Sequence, residues 1–316
     1  MKKFYFKIAH NFNSWRNKNH SDFGMEVYYL FISARPHQWI KNLIIFAALI
    51  FSKNLFNLND VYQVVIAFVI FCLLSSTAYL INDIIDIEGD KKHPEKRKRP
   101  IASGKISSTL AIRLAFILGL AAILAAFQLN QNFGLLALAY LILLILYSSF
   151  LKKIVILDVL VIAFGFVLRV IGGAVIISVD VSEWLLVSTI VLALFLALTK
   201  RRGELILLEE KSSRHRKILS EYNLNFLDQM IAVVTATTIM AYALYTVNPE
   251  IIEKFGTDHL IYTLPIVIYG IFRYLYLVYR KDQGDNPTRL FLTDIPLIID
   301  ILVWLGSIVA IIYFHI

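Results

Sequence analysis

Long, continuous apolar runs recur along the whole chain and constrain its fold more than any other feature of the sequence. Each run is roughly 17 to 25 residues long, enough for a helix to cross the roughly 30 Å hydrocarbon core of a bilayer. The 316 residues are 58% hydrophobic, with a mean hydropathy of +0.68. Because the runs are continuously apolar rather than alternating, they predict helices rather than a β-barrel.

The predicted fold class is therefore all-α: a polytopic membrane protein with about nine transmembrane helices. Lys41 interrupts the first of the apolar runs. The runs lie near residues 36–56, 61–81, 107–128, 132–150, 155–178, 183–199, 230–248, 258–279 and 294–315.

Basic residues follow the alternation of loops that these spans create. Of the 31 Lys and Arg residues, only Lys53 and Lys254 fall in the loops of one side, while Arg113, Arg169 and Arg273 fall within spans. Because cytoplasmic loops collect Lys and Arg, the N-terminus is predicted inside and the C-terminus outside. This predicts a multi-pass protein of the cell (inner or plasma) membrane with its active site on the cytoplasmic side.

The net charge of +8 indicates membrane orientation and anionic ligands. Nucleic acid is not predicted as a partner, because the basic clusters abut membrane spans. Residues 1–30 are predicted to form a basic tail, either lying on the inner leaflet or disordered. Residues 31–316 are predicted to form a single transmembrane catalytic domain. A homo-oligomer is compatible with the sequence.

A carboxylate cluster follows the second apolar run. Asp83, Asp86 and Asp90 are spaced by three and four residues, so on a helix they share one face. Mg²⁺ suits such oxygen ligands, together with the phosphates of a substrate. We therefore predict Mg²⁺ as cofactor, the three aspartates as its ligands, and these residues with Asn82 as the catalytic group. The alternative is a solvated helix end, but acids at a membrane edge are costly.

A basic loop comes directly after the acids. Pro94, Pro100 and Gly104 interrupt any continuous helix there, which keeps the basic side chains near the acids. Arg grips phosphate oxygens with two parallel hydrogen bonds, whereas Lys acts as a point charge. An anchor that obeys the positive-inside rule would explain the charge but not the neighbouring acids. The predicted phosphate-binding residues of this loop are Lys96, Arg97 and Arg99.

The run from Asn82 to Asp90 has the pattern Asn-Asp-x-x-Asp-x-x-x-Asp, and here the chain resembles the UbiA superfamily of intramembrane prenyltransferases. The segments 35–42, 93–104 and 200–205 resemble its decaprenyl-phosphate phosphoribosyltransferase branch. The likeness covers nearly the whole chain after residue 30. Superfamily members that make quinones or modified haem carry a second aspartate-rich motif after span six. This chain has Lys200, Arg201, Arg202 and Glu204 there, which favours a donor with an extra phosphate.

The resemblance implies transfer of a 5-phosphoribosyl group from phosphoribosyl diphosphate to a polyprenyl phosphate, with release of diphosphate and dependence on Mg²⁺. Two alternatives stay open. One is a prenyltransferase that joins a polyprenyl diphosphate to an aromatic or other small acceptor. The other is a lipid transporter or scaffold without catalysis.

Further polar residues are predicted to reach the same inside-facing cavity. Lys153 is also explained by snorkelling at the interface, and the group around Lys200 by the positive-inside rule. Arg169 lies deep in span five and needs a partner, either a substrate phosphate or a residue on another helix. The predicted substrate-binding residues outside the basic loop are Lys41, Tyr147, Lys153, Asp158, Arg169, Lys200, Arg201 and Glu204.

Overall fold

A computed structural model describes residues 22–93, 95–209, 221–281 and 283–315. Residues 1–21 of the predicted basic tail lie outside the described residues. Within the described ranges every regular element is a helix. The α-helices are α1 Asp22–Ser33, α2 Ala47–Phe51, α3 Leu58–Ile85, α4 Ile87–Lys92, α5 Ser108–Leu129, α6 Gln131–Ser149, α7 Leu157–Ile176, α8 Glu183–Glu209, α9 Leu224–Val247, α10 Pro249–Phe255, α11 Leu264–Arg280, α12 Pro287–Thr293 and α13 Ile295–Phe314; 3₁₀ helices cover Pro36–Phe46, Lys96–Lys98, Leu151–Lys153 and His259–Thr263.

In the described part of the chain, 8 helices are long and apolar enough to cross a membrane. They correspond to the predicted spans after the first, which confirms an all-α polytopic membrane protein. The first predicted span is instead the 3₁₀ helix Pro36–Phe46 followed by the short α2. At about 2.0 Å per residue in a 3₁₀ helix and about 1.5 Å in an α-helix, this broken segment is still roughly 30 Å long.

Contacts at its two ends show that the broken segment runs the length of the bundle. Near its start, Thr288 Oγ1 of α12 donates to Gln38 Oε1 at 3.2 Å. Near its end, the Tyr313 hydroxyl donates to the Leu49 carbonyl oxygen at 3.0 Å. Because α13 leads from α12 to Phe314, these contacts lie at opposite ends of the bundle. The segment is therefore a ninth crossing of irregular form.

Two glycines of α7 let this segment and α3 approach closely. A Cβ atom at Gly173 would lie 2.2 Å from the Ile45 carbonyl oxygen, and one at Gly172 would lie 2.9 Å from the Phe71 ring. The contact with the Ile45 carbonyl oxygen could be relieved only by displacing backbone, so only glycine fits at Gly173. This close packing holds the 3₁₀ helix against α7.

Candidate functional site

The predicted acids meet basic side chains from two distant segments at one end of the bundle. Asp83 Oδ1 accepts from Arg35 Nη2 at 2.5 Å and from Arg99 Nη1 at 2.9 Å. The same Arg99 nitrogen donates to Asp90 Oδ2 at 2.5 Å. Asp83 and Asp90 therefore converge on one guanidinium, as expected for acids and bases that serve a single site. We name the Asp83 cluster as Arg35, Asn82, Asp83, Asp86, Asp90, Arg99 and Lys152.

Asp86 has a different partner from the other two acids. Lys152 Nζ lies 2.7 Å and 2.8 Å from the two Asp86 carboxylate oxygens, and 3.0 Å from Asn82 Oδ1. Lys152 itself is buried, with 6% of its side chain exposed. The turn between α6 and α7 thus supplies the cation that faces Asp86.

The three acids do not lie on one continuous helix. The helix α3 ends at Ile85, Asp86 adopts φ −91° and ψ 4°, and α4 begins at Ile87. Across this break the Asp90 amide still donates to the Asp86 carbonyl oxygen at 2.8 Å, so the helical spacing is nearly kept. Burial raises the pKa of Asp90, and the Arg99 charge opposes that shift.

These residues fit a Mg²⁺ ion that shares its coordination with a substrate. No three or more His, Cys, Asp or Glu side chains in the described part of the chain form a group able to hold a metal by themselves. Mg²⁺ is, however, commonly bound by one or two carboxylates plus substrate phosphates. Asp83 and Asp90 both bond the same nitrogen atom, so they present two carboxylates to one point.

A second, more deeply buried cluster surrounds Asp158 at the start of α7. Asp158 Oδ2 accepts from Arg201 Nε at 2.6 Å, and Asp158 Oδ1 accepts from the Tyr222 hydroxyl at 2.8 Å. Arg201 also bonds Glu204 through Nη1 and the Tyr147 hydroxyl through Nη2. We name these five residues the Asp158 cluster. Both Asp158 oxygens and all three Arg201 nitrogens are engaged within the protein.

A strained turn places Asp158 in this cluster. Ile156 has φ +70° and ψ −45°, a backbone conformation that a β-branched residue rarely adopts. Its amide donates to the Tyr222 hydroxyl at 2.8 Å, and that hydroxyl donates onward to Asp158. Burial raises the pKa of Tyr222 to about 12, so the phenol stays protonated and can donate at neutral pH. Tyr222 therefore bridges the strained backbone and the buried carboxylate.

Arg169 has hydrogen-bond partners on two other elements and on its own helix. Its Nε donates to Asn42 Oδ1 at 2.6 Å, Nη1 donates to the Gly165 carbonyl oxygen at 2.7 Å, and Nη2 donates to the Tyr140 hydroxyl. All of these partners are neutral. Lys41, next to Asn42 in the chain, is half-buried and has no hydrogen bond or ion pair among the described residues.

The remaining predicted residues lie at the margin of these groups. Lys96 is half-buried, whereas Arg97 and Lys153 are exposed. Lys200 lies 3.6 Å from Glu204 Oε1 at the edge of the Asp158 cluster. Sequence reasoning did not include several residues that the structure brings into contact with the predicted ones. These are Arg35, Asn42, Tyr140, Lys152 and Tyr222.

Some of these omissions had a sequence signal. Arg35 lies in the segment 35–42 that carries the family resemblance, and Lys152 is the neighbour of the predicted Lys153. No sequence signal pointed to Tyr222, which reaches Asp158 from a position 64 residues away.

The fold and the site together define a polytopic helical membrane protein with acidic and basic side chains assembled at one end of the bundle. The chain belongs to the UbiA prenyltransferase family, whose model matches residues 43–295.

Curated relatives support a specific branch of that family. The chain is 33% identical over 292 residues to the decaprenyl-phosphate phosphoribosyltransferase of Mycolicibacterium smegmatis, covering 89% of this chain and 92% of that protein. It is 32% identical over 287 residues to the protein of the same name from Corynebacterium glutamicum, covering 88% and 85%.

Solved structures share the fold. A UbiA homologue from Archaeoglobus fulgidus bound to GPP and Mg²⁺ superposes with a TM-score of 0.67 at 16% identity, covering 89% of this chain and 99% of that chain. A structure described for digeranylgeranylglyceryl phosphate synthase has a TM-score of 0.61 at 19% identity and covers 91% and 99%.

Proposed function

We propose that this enzyme transfers a 5-phosphoribosyl group from phosphoribosyl diphosphate to a polyprenyl phosphate and releases diphosphate. The observation that carries the proposal is the match to relatives named decaprenyl-phosphate phosphoribosyltransferase, at 33% identity over 89% of this chain. The arrangement of three carboxylates and three cations in the Asp83 cluster supports it chemically, since both substrates are phosphorylated.

Asp83, Asp86 and Asp90 are the residues we propose to hold Mg²⁺, with Asn82 beside them. When bound, the ion would neutralise charge on the leaving diphosphate. The cations that now bond these acids, Arg35, Arg99 and Lys152, would contact the phosphate oxygens of the donor.

The bond changes are simple for the protein to support. An anionic oxygen of the lipid phosphate forms a bond to the anomeric carbon of the ribose, and the bond from that carbon to the diphosphate oxygen breaks. The electron pair of the broken bond leaves with diphosphate. Because the attacking oxygen is already anionic, no side chain has to remove a proton. The residues need only to orient the substrates and stabilise charge.

We propose that Lys200 is the positively charged residue that contacts the 5-phosphate of the donor. Lys200 keeps 38% of its side chain exposed, whereas Arg201 keeps 2% and is already engaged with Asp158 and Glu204. Arg201 is then a positioning residue that holds this end of α8, and Glu204 connects it to Lys200.

We propose that the site faces the cytoplasm. The loops that contribute to the two clusters are the ones rich in Lys and Arg, and such loops are retained on the cytoplasmic side. A reporter fused after Ile316 is expected to behave as extracytoplasmic; cytoplasmic behaviour would contradict this orientation.

Lipid mass spectrometry tests the reaction. The purified protein is incubated with phosphoribosyl diphosphate, MgCl₂ and decaprenyl phosphate, and the expected product is decaprenyl-phosphate bearing a 5-phosphoribosyl group. Omission of Mg²⁺ or addition of a chelator is expected to stop product formation. Absence of this product with the wild-type protein would contradict the proposal.

A second candidate is prenyl transfer from a polyprenyl diphosphate to a small acceptor, because a solved homologue with this fold holds GPP and Mg²⁺. The same incubation with a prenyl diphosphate in place of the ribosyl donor separates the two. Transfer of a prenyl group, with no use of the ribosyl donor, would replace the first proposal by the second.

A further inference from the structure

Two cations lie inside the bundle without an acidic partner among the described residues. Arg169 is buried, with 8% of its surface exposed, and bonds only neutral groups. Lys41 is half-buried and has no described hydrogen bond or ion pair. Ionised groups within membrane spans are costly and usually have a counter-charge or a functional ligand. These two residues therefore lack the anion that their position calls for.

The two cations lie close enough for the charge of one to act on the other. Asn42, which follows Lys41 in the chain, accepts from Arg169 Nε at 2.6 Å, and the charges of Arg169 and Arg35 both act on Lys41. Arg169 Nη1 bonds the carbonyl oxygen of Gly165, one turn closer to the start of α7. The guanidinium is thus displaced toward the end of the bundle that carries the Asp83 cluster.

The acids of the Asp83 cluster do not compensate these charges. Asp83 accepts from Arg35 and Arg99, and Asp90 accepts from Arg99. Asp86 accepts from Lys152. The three carboxylates thus already face three cations, and Lys41 and Arg169 remain as excess positive charge deeper in the bundle.

Depth identifies which substrate phosphate these cations suit. Lys41 lies five residues after Pro36, at a rise of about 2 Å per residue, so it is about 10 Å from the start of the crossing segment. A phosphate monoester attached to an apolar tail can enter from the bilayer and stay at that depth. The soluble donor carries more charge and suits the partly exposed Asp83 cluster nearer the end of the bundle.

We propose that Lys41 and Arg169 form the subsite for the phosphate monoester of the polyprenyl phosphate acceptor. This inference rests on the proposed function for the identity of the lipid. Asn42 and Tyr140 position the Arg169 guanidinium, and Lys41 supplies the second charge. The shared chemistry is that of any phosphate monoester, so the test must separate a lipid phosphate from a soluble one.

Equilibrium binding to the full-length protein in nanodiscs provides that test. Decaprenyl phosphate, decaprenol and inorganic phosphate are titrated against the wild type, Lys41→Met, Lys41→Arg and the control Lys53→Met, a lysine at the opposite end of the bundle. We expect Lys41→Met to weaken decaprenyl phosphate binding by about tenfold or more, since a charge-assisted phosphate contact is lost. Decaprenol binding should be unchanged, and Lys41→Arg should restore most of the affinity.

Kinetics add a readout that a structural role would not move. Lys41→Met should raise KM for decaprenyl phosphate and leave KM for phosphoribosyl diphosphate unchanged. An increase only in KM for phosphoribosyl diphosphate would overturn the proposal and place Lys41 in the donor site. Unchanged lipid binding in Lys41→Met, or inorganic phosphate competing as strongly as the lipid phosphate, would also overturn it.

Failure of the proposed function gives a different pattern. In that case the wild type forms no ribosylated lipid from phosphoribosyl diphosphate, but it still binds decaprenyl phosphate in a manner that depends on Lys41.

Discussion

In the Asp83 cluster the side chains of Arg35, Arg99 and Asp86 keep 19%, 23% and 24% of their surface exposed, whereas their partners Asp83, Asp90 and Lys152 are buried. In the Asp158 cluster Arg201 keeps 2% and Asp158 keeps 0%. The same chemical groups therefore occur in two environments. Each ion pair of the Asp83 cluster has one partly exposed partner, which keeps that partner solvated and lets a ligand reach it. A buried pair is hard to break, because each partner would be left as an uncompensated charge.

This difference separates binding from positioning. In the Asp83 cluster a soluble diphosphate can reach the partly exposed Arg35 and Arg99 and displace them from the carboxylates. The Asp158 cluster instead fixes α7 against α8. The clusters are joined by the end of α6, since Tyr147 reaches Arg201 and the following turn carries Lys152 to Asp86.

The largest effect on stability is expected when the buried ion pair between Asp158 and Arg201 is broken. Arg201→Ala leaves Asp158 buried without its cation, which should lower the free energy of unfolding by about 3–5 kcal/mol. Denaturation in detergent, followed by circular dichroism, measures it. The double variant Arg201→Met with Asp158→Leu removes both charges and should be less destabilised than the single variant. If Arg201→Ala unfolds like the wild type, the Asp158 cluster does not hold α7 against α8.

The next largest effect, on catalysis, is expected from changing an acid of the Asp83 cluster. Asp86→Asn keeps the shape of the side chain but removes its charge, so product formation should fall by at least about a hundredfold. The unfolding midpoint should fall by less than in Arg201→Ala, because Asp86 is partly exposed and the amide oxygen of the introduced asparagine can still accept from Lys152. Glu95→Gln in the neighbouring loop is the matched control, since the Glu95 side chain is 68% exposed and forms an ion pair with the exposed Lys98, outside the Asp83 cluster. Normal turnover in Asp86→Asn would remove this acid from the mechanism.

A smaller effect on stability is expected at Tyr222, which joins the strained turn at Ile156 to Asp158. Tyr222→Phe removes the hydroxyl that bonds both the Ile156 amide and Asp158, at a cost of about 2 kcal/mol in stability. Tyr62→Phe, an exposed tyrosine, is the matched control. The unfolding free energies of the two variants are compared under the same detergent conditions. Equal stability of the two would show that the hydroxyl does not hold the turn.

The smallest effect distinguishes two adjacent lysines. Lys152 is buried and faces Asp86, whereas Lys153 is exposed. Lys152→Met should lower kcat/KM for phosphoribosyl diphosphate by about tenfold, roughly one charge-assisted contact. Lys153→Met should lower it by less. The reverse order would mean that this turn presents Lys153 to the substrate.

Much of the fold was predictable because it depends on local patterns. Apolar run length predicted the eight regular spans, and the charges of the loops predicted which of them share one end of the bundle. The first span was the exception. Pro36 and Lys41 mark it as irregular, but only the packing of Gly173 against the Ile45 carbonyl shows how a 3₁₀ helix is accommodated there.

The sequence by itself determined the family and the acidic signature from Asn82 to Asp90, since both are carried by residues close together in the chain. Only the tertiary structure decided which cation meets which acid. Lys152 reaches Asp86 across 66 positions, and Arg201 reaches Asp158 across 43. Spacing along one helix specifies which residues share a face, but partners on different helices depend on how those helices pack. Lys200 and Arg201 are adjacent in the chain, so only the folded protein shows that Lys200 is accessible and Arg201 is buried.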